Sequence, residues 1–452
     1  MSDRFRNDFT QGSVTKQLIR FSFPLLLSNL LQALYSVVDM VVVGKFCGKA
    51  SITGVSIGGQ INILASGLAL GLSIGGTVLI AQYGGSKKYG DQRKTIGTMT
   101  IMYFILSAVV TSVMLSLSNP ILKALNTPDS AYSETLAYFK ICMYGTIFVF
   151  MYNAISAILR GMGDSKRPLY FVFTATVTNM LLDIVLVGYY RMGAAGAAWA
   201  TIFSQALSVV LSLIFLFRKD FFIEFRAVDF KPDFKKAAAL IKIGFPSAVQ
   251  NIIVSFSFLA LTSIVNSLPN AEVASACQGI GSKVNSFAIL PGLALSTSIS
   301  SMAGQNIGAG EYGRAKRTFE IGTIMAFGIS LLVFLVVQLF PGSIMALFTS
   351  EADVISTGSA YLRRTAYDYL FVSITFSVNG LALAAGMSNF ALLNTIFNSL
   401  ILRIPLTYFF VNVLGWGFNG VGLAIGLAPL GSWVLCAVFL KKELWKKKRI
   451  NL

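Results

Sequence analysis

The sequence predicts an all-α polytopic membrane protein, with twelve transmembrane helices in two pseudo-symmetric six-helix lobes. Three observations carry this prediction. The 452 residues are 55% hydrophobic and only 12% charged, whereas a soluble domain is about one quarter charged. The apolar residues collect into stretches long enough to cross about 30 Å of hydrocarbon. Motifs of the first half also return, in order, in the second.

The apolar stretches run roughly over 16–44, 51–82, 95–117, 132–158, 168–190 and 194–217, then 240–266, 275–304, 319–340, 361–386, 389–412 and 419–440. Several exceed the minimum span, so tilting or kinking is expected. In the first, Pro24 removes a backbone hydrogen bond and predicts a hinge; Pro246 predicts one in the seventh. Glycines such as those of Gly67-Leu-Ala-Leu-Gly71 and Gly292-Leu-Ala-Leu allow helices to approach closely in lipid. Residues 1–20 are polar and run into a long span without a small-residue cleavage site, so no cleavable signal peptide is expected.

The net charge of +17 is topological. Basic residues concentrate in the N-terminal arm, in the loops at Lys87–Lys94, Arg160–Arg167 and Arg314–Arg317, in the middle linker and in the tail. This places both termini in the cytoplasm of a multi-pass plasma (inner) membrane protein. Nucleic-acid binding is excluded, because the basic residues are spread over short loops with no aromatic-lined groove. With no histidine, imidazole-based metal sites and proton relays are excluded too. Cys47, Cys142, Cys277 and Cys436 are scattered and imply no disulfide framework.

The linker divides the chain into an N-lobe (1–217), the linker itself (218–239), a C-lobe (240–440) and a basic tail (441–452). Ile243-Gly-Phe-Pro-Ser-Ala-Val-Gln-Asn251 echoes Phe21-Ser-Phe-Pro-Leu-Leu-Leu-Ser-Asn29 at an offset of about 222. Gln305-Asn-Ile-Gly-Ala-Gly-Glu-Tyr-Gly echoes Gln82-Tyr-Gly-Gly-Ser-Lys-Lys-Tyr-Gly at about 223. Gly386-Met387 echoes Gly161-Met162 at about 225, and Gly417-Phe-Asn-Gly echoes Gly193-Ala-Ala-Gly at about 224. An even number of spans per copy keeps both copies in the same orientation, a transporter arrangement with its binding site between the halves.

Polar residues inside the spans mark the candidate site. Asn29, Gln32, Ser36 and Asp39 recur at helical spacing on one face of the first helix. In the fifth, Asn179 and Asp183 stand one turn apart, and Thr201 lies in the sixth. Intramembrane carboxylates are costly and face a cavity, a partner or an ion path. The blander readings are an Asp39 solvated at the helix mouth and an Asp183 bonded to Asn179 for packing. Two such carboxylates suit a proton or, with oxygen ligands alone, a hard cation such as sodium. By the offsets, Asp39 maps to Leu261, Asn179 to Arg403 and Asp183 to Thr407, so the second half lacks these carboxylates. Tyr35, Tyr144, Tyr152 and Phe150 could line a cation-accepting cavity through their rings, and Asn29, Gln32, Ser36, Gln250 and Asn251 are the further substrate-cavity candidates. Asp368 reads as an ion pair with Arg363 and Arg364, and Asp91 and Glu311 as solvated. Arg160-Gly-Met-Gly-Asp-Ser-Lys-Arg-Pro168 reads as a tight turn.

The chain resembles the multidrug and toxic compound extrusion (MATE) transporters over essentially its whole length. The resemblance rests on Val38-Asp39-Met-Val-Val-Val-Gly44, on Gln82 with its Gly84-Gly85 basic loop, on Arg160–Pro168, and on the duplicated twelve-helix plan. It implies two lobes around a V-shaped central cavity, a bent first helix, and an N-lobe cation site. Asp39, Asn179, Asp183 and Thr201 match that site residue by residue, and any sodium would bind there. A Glu that some branches carry in the seventh helix is absent, its place falling near Val254, so the resemblance favours the DinF-like branch.

The implied activity is secondary antiport by alternating access, exporting amphipathic cationic compounds in exchange for H+ or Na+. No cofactor or catalytic residue is expected, the partners being the small-molecule substrate and the bilayer, and the working unit a monomer. The alternative is a flippase for a lipid-linked or peptide substrate, which would line its cavity with basic residues; Arg403 is the only evident one. A membrane enzyme lacks a catalytic constellation, a channel lacks a filter loop, and an ATP-driven pump lacks a P-loop.

Overall fold

Backbone polar groups in hydrocarbon must be satisfied within the segment, and the computed structural model meets this demand with helices. It describes residues 7–125, 127–218 and 225–446, and all regular structure among them is helical. Parts of the predicted linker (219–224) and tail (447–452) lie outside these residues.

The first half comprises α1 (Val14–Phe46), α2 (Lys49–Gly85), α3 (Tyr89–Ser116), the short α4 (Ser118–Ala124), α5 (Asp129–Tyr144), α6 (Thr146–Gly161), α7 (Lys166–Asp183) and α8 (Gly193–Arg218). The second comprises α9 (Phe234–Asn266), α10 (Ala271–Ala288), α11 (Leu290–Ala309), α12 (Tyr312–Leu339), the short α13 (Pro341–Ala346), α14 (Ala352–Thr365), α15 (Tyr367–Ala384), α16 (Ser388–Ile396), α17 (Ile404–Tyr408) and α18 (Gly417–Lys441). Ten segments are long and apolar enough to span singly, and an eleventh is α5 with α6, bent by 45°. That bend falls at Gly145, where any side chain would collide with Ile202 of α8. The remaining apolar stretch, the tenth (361–386), is divided between α14 and α15. Pro24 and Pro246 lie inside α1 and α9, which continue through them.

The chain packs as two compact units. One holds Phe23–Ala248 with residues 7 and 8, the other Phe9–Ser22 with Val249 onward. In the first, Val42 and Val43 of α1 enter a core with Val55 and Ile61 of α2, Phe139 and Met143 of α5, and Ala197 and Ala198 of α8. The linker packs on the same unit. Asp229 pairs with Arg93 at 3.6 Å, and Lys236 with Asp91 at 2.9 Å. Asp91, expected to be solvated, is therefore paired: the linker returns a lysine to it. In the turn before α7, Asp164 accepts from the backbone N–H of Lys166 (3.1 Å) and Arg167 (3.2 Å) and pairs with the Arg167 guanidinium, satisfying donors that a helix start leaves open.

In the second unit, Arg314 of α12 clamps the N-terminal arm. Its guanidinium donates to the carbonyls of Phe9 (2.7 Å), Gln11 (2.8 Å) and Gly12 (2.8 Å) and to Gln17 Oε1 (2.9 Å). Phe9 is buried edge-on against Phe21, with its N–H on Gln305. Arg314→Ala is expected to cost about 2 kcal/mol and to speed protease cleavage within residues 7–12. Arg314→Lys should not rescue it, because one ammonium cannot span the fork. Thermal unfolding and limited proteolysis check both.

Candidate functional site: two unpaired carboxylates in the first unit

Each candidate side chain owes its position to local helix geometry. Four-residue spacing puts Tyr35 and Asp39 on one face of α1, and Asn179 and Asp183 on one face of α7. Asp183 closes α7 proper, and the chain continues as a π-helical turn, Ile184–Tyr189, a form frequent at functional sites. Thr201 lies two turns into α8, which packs along α7.

Asp39 is 7% exposed, and Asn179 and Asp183 are fully buried. Asp39 Oδ1, both oxygens of Asp183, and both amide atoms of Asn179 make no hydrogen bond. The packing bond between Asp183 and Asn179 is therefore not made. Asp39 is no solvated helix-mouth residue. The two carboxylates feel each other's charge, and both act on Tyr35. Buried acceptors without donors are expensive, and this donor set, all oxygen apart from one amide nitrogen, suits a proton or a hard cation.

Tyr35 donates its hydroxyl to Thr201 Oγ1 at 2.7 Å. It thereby ties α1 to α8 beside the carboxylates. The signal was present in the sequence, since Tyr35 precedes Asp39 by one helical turn. Two residues the sequence did not single out, Tyr138 and Cys142 of α5, are buried within electrostatic reach of Asp39. Tyr35→Phe is expected to keep the fold, lose about 1 kcal/mol from the lost bond, and reduce transport several-fold. Transport and thermal unfolding measured side by side check this.

The remaining candidates do not gather here. Asn29 is half-buried, while Gln32 and Asn251 are exposed; the side chain of Ser36 lies outside the described atoms. Tyr144 is 62% exposed. Tyr152 lies beside Ser156, and Phe150 is fully buried against Tyr103 as packing. Gln250, in the second unit, donates to Ala391 O (3.1 Å) and Thr395 Oγ1 (2.6 Å). Asp368 does not pair with Arg363 or Arg364: Arg363 donates to the Gln338 carbonyl and Arg364 to that of Ala360. Those arginines sit on the last turn of α14, ahead of the break at Ala366, and turn to backbone carbonyls instead.

The probable multidrug resistance protein YpnP of Bacillus subtilis (strain 168) is 31% identical over 449 residues, 98% of each chain. YoeA, a probable multidrug resistance protein of the same organism, is 27% identical over 98% of this chain and 96% of its own. A solved outward-facing multidrug resistance MATE family transporter of the MOP superfamily superposes with a TM-score of 0.92 at 22% identity, covering 97% of this chain and 98% of that one; it shares the fold. The family model MatE matches residues 24–185 and 246–409, once in each half. The chain therefore belongs to the MatE family of membrane transporters and is not an enzyme.

Proposed function

We propose that this protein is a secondary antiporter that exports amphipathic, cationic small molecules across the plasma membrane in exchange for H+ or Na+. Asp39, Asn179, Asp183 and Thr201 form its coupling site. The observation that carries this reading is the pair of buried carboxylates, Asp39 and Asp183, of which Asp39 Oδ1 and both Asp183 oxygens meet no donor. An entering cation supplies the missing charge, and it drives transport by binding the two access states unequally. Asn29, Gln32 and Ser36, on the polar face of α1, are where we place substrate contact. Residues 1–217 and 240–440 act as the two moving lobes of a monomer, with both termini in the cytoplasm.

The reading is tested in proteoliposomes loaded with a fluorescent lipophilic cation, with pH and sodium gradients imposed one at a time. Export driven by one gradient supports antiport and identifies the ion. Dye movement indifferent to both gradients overturns it.

A further inference from the structure

The segment that carries the chain from Asp183 to Thr201 is held from outside itself. After the π-helical turn Ile184–Tyr189, the chain passes through Tyr190, Arg191 and Met192 and enters α8 at Gly193. A helix start leaves backbone N–H groups open, and Met192, which precedes this one, has no capping oxygen to offer. The acceptor comes from α5. Glu134 Oε2 accepts from the Ala194 N–H at 2.8 Å, across 60 residues of sequence, and from Ser51 Oγ of α2 at 3.1 Å. Charge-assisted hydrogen bonding and the helix dipole both favour a carboxylate at this end.

The residues around that carboxylate are shaped to admit it. Gly193 has a φ of +59°, and a β-carbon there would lie 2.6 Å from Glu134 Oε2 and 3.1 Å from Ser51 Oγ. A β-carbon on Gly54 would lie 3.1 Å from the Glu134 backbone. Arg191, also in the left-handed region at +56°, donates to the Phe46 carbonyl at 2.9 Å, with its guanidinium 5.6 Å from the Phe46 ring. Arg191 thus pins the segment to α1, and Glu134 pins it to α2 and α5.

Both pins lie in register with the buried carboxylates. Phe46 is seven residues beyond Asp39, and Ala194 is seven before Thr201, about two helical turns in each case. Between the Glu134 pin and Thr201, Ala194, Ala197 and Ala198 form one fully buried face of α8, in the same core as Val42 and Val43 of α1 and Phe139 of α5. On α5, Glu134, Tyr138 and Cys142 follow at four-residue spacing along one face. A close-packed core transmits displacement because it compresses little.

We propose that Glu134 is a positioning residue for the carboxylate site. Its bond to the start of α8 holds Thr201 at the Tyr35 hydroxyl and keeps Asp183, at the other end of the same segment, in place. The consequence for ion-coupled export rests on the function proposed above; the positioning of α8 does not.

The test is proteoliposome export measured against the concentration of the driving cation, H+ or Na+. Glu134→Ala is expected to raise the concentration that gives half-maximal export about tenfold, the scale on which supporting contacts tune a cation site. Glu134→Gln keeps an oxygen acceptor at the same reach and should stay near wild type, whereas Glu134→Asp, one methylene shorter, should resemble the alanine variant. Gly193→Ala, which leaves the carboxylate and crowds it, should shift the value in the same direction. Glu134→Ala combined with Tyr35→Phe should shift it no further than the larger single change, because both act through one bond. A lower melting temperature without a shift in cation dependence, or shifts that add, would overturn the proposal. Hydrogen–deuterium exchange on the full chain in detergent gives a second readout. Amide exchange over residues 193–201 should rise in Glu134→Ala and not in Glu134→Gln, and unchanged exchange in the alanine variant overturns the proposal too. Wild-type export indifferent to both gradients would defeat the antiport reading alone, and exchange would still decide the positioning.

Discussion

Asp183→Asn is expected to abolish gradient-driven export while leaving the protein at least as thermally stable as wild type. The substitution preserves shape and removes charge at a fully buried position whose two oxygens have no donor. An amide there no longer attracts a proton or cation, so loss of at least tenfold in coupled transport is expected, about 1.4 kcal/mol of differential binding. Stability moves the other way, because an ionised carboxylate without a partner is costly to bury and an amide costs less. Asp39→Asn should behave alike, and on the proposed function, in which both carboxylates act on one ion, the double variant should be no worse than either. Export and melting temperature measured on the same preparations check this. Lost export with raised or equal stability marks a coupling site; lost export with a collapsed melting temperature would mark a structural role instead.

The second large effect belongs to packing. Gly71→Val is expected to destabilise the protein by about 3 kcal/mol, and Gly67→Val to be nearly neutral. A β-carbon on Gly71 would fall on the backbone of Ala248. One turn on, a β-carbon on Gly75 would lie 2.6 Å from the Leu240 carbonyl oxygen. From the opposite side, one on Gly244 would lie 2.6 Å from Leu72 Cα. Small residues four apart, Gly71 and Gly75 on α2 facing Gly244 and Ala248 on α9, thus bring two backbones into contact, the packing device that works in lipid. Gly67 has open space around its α-carbon. Comparison of melting temperature and membrane expression for the two variants separates them; equal effects would mean that the crossing does not hold the unit.

Those two glycines show where local information ends. Hydrophobic length, the basic loops and the internal repeat are properties of segments, and the helical membrane class and the family are legible in them. Spacing along a helix placed Asn179 with Asp183 and Asp39 on a polar face, because one turn of an α-helix is a fixed geometry. Which residues of different helices meet is decided by long-range packing, and sequence order carries little of it. Gly67 and Gly71 read alike until α9 lay against only one of them. That the Tyr35 hydroxyl meets Thr201 is decided by α8 and not by the spacing along α1. Asp91 read as solvated until the linker returned Lys236 to it. Asp368 read as the partner of its sequence neighbours Arg363 and Arg364, but both turn to backbone carbonyls. Which groups a buried carboxylate meets is set by the packing of helices far apart in the chain, and its sequence neighbours do not decide it.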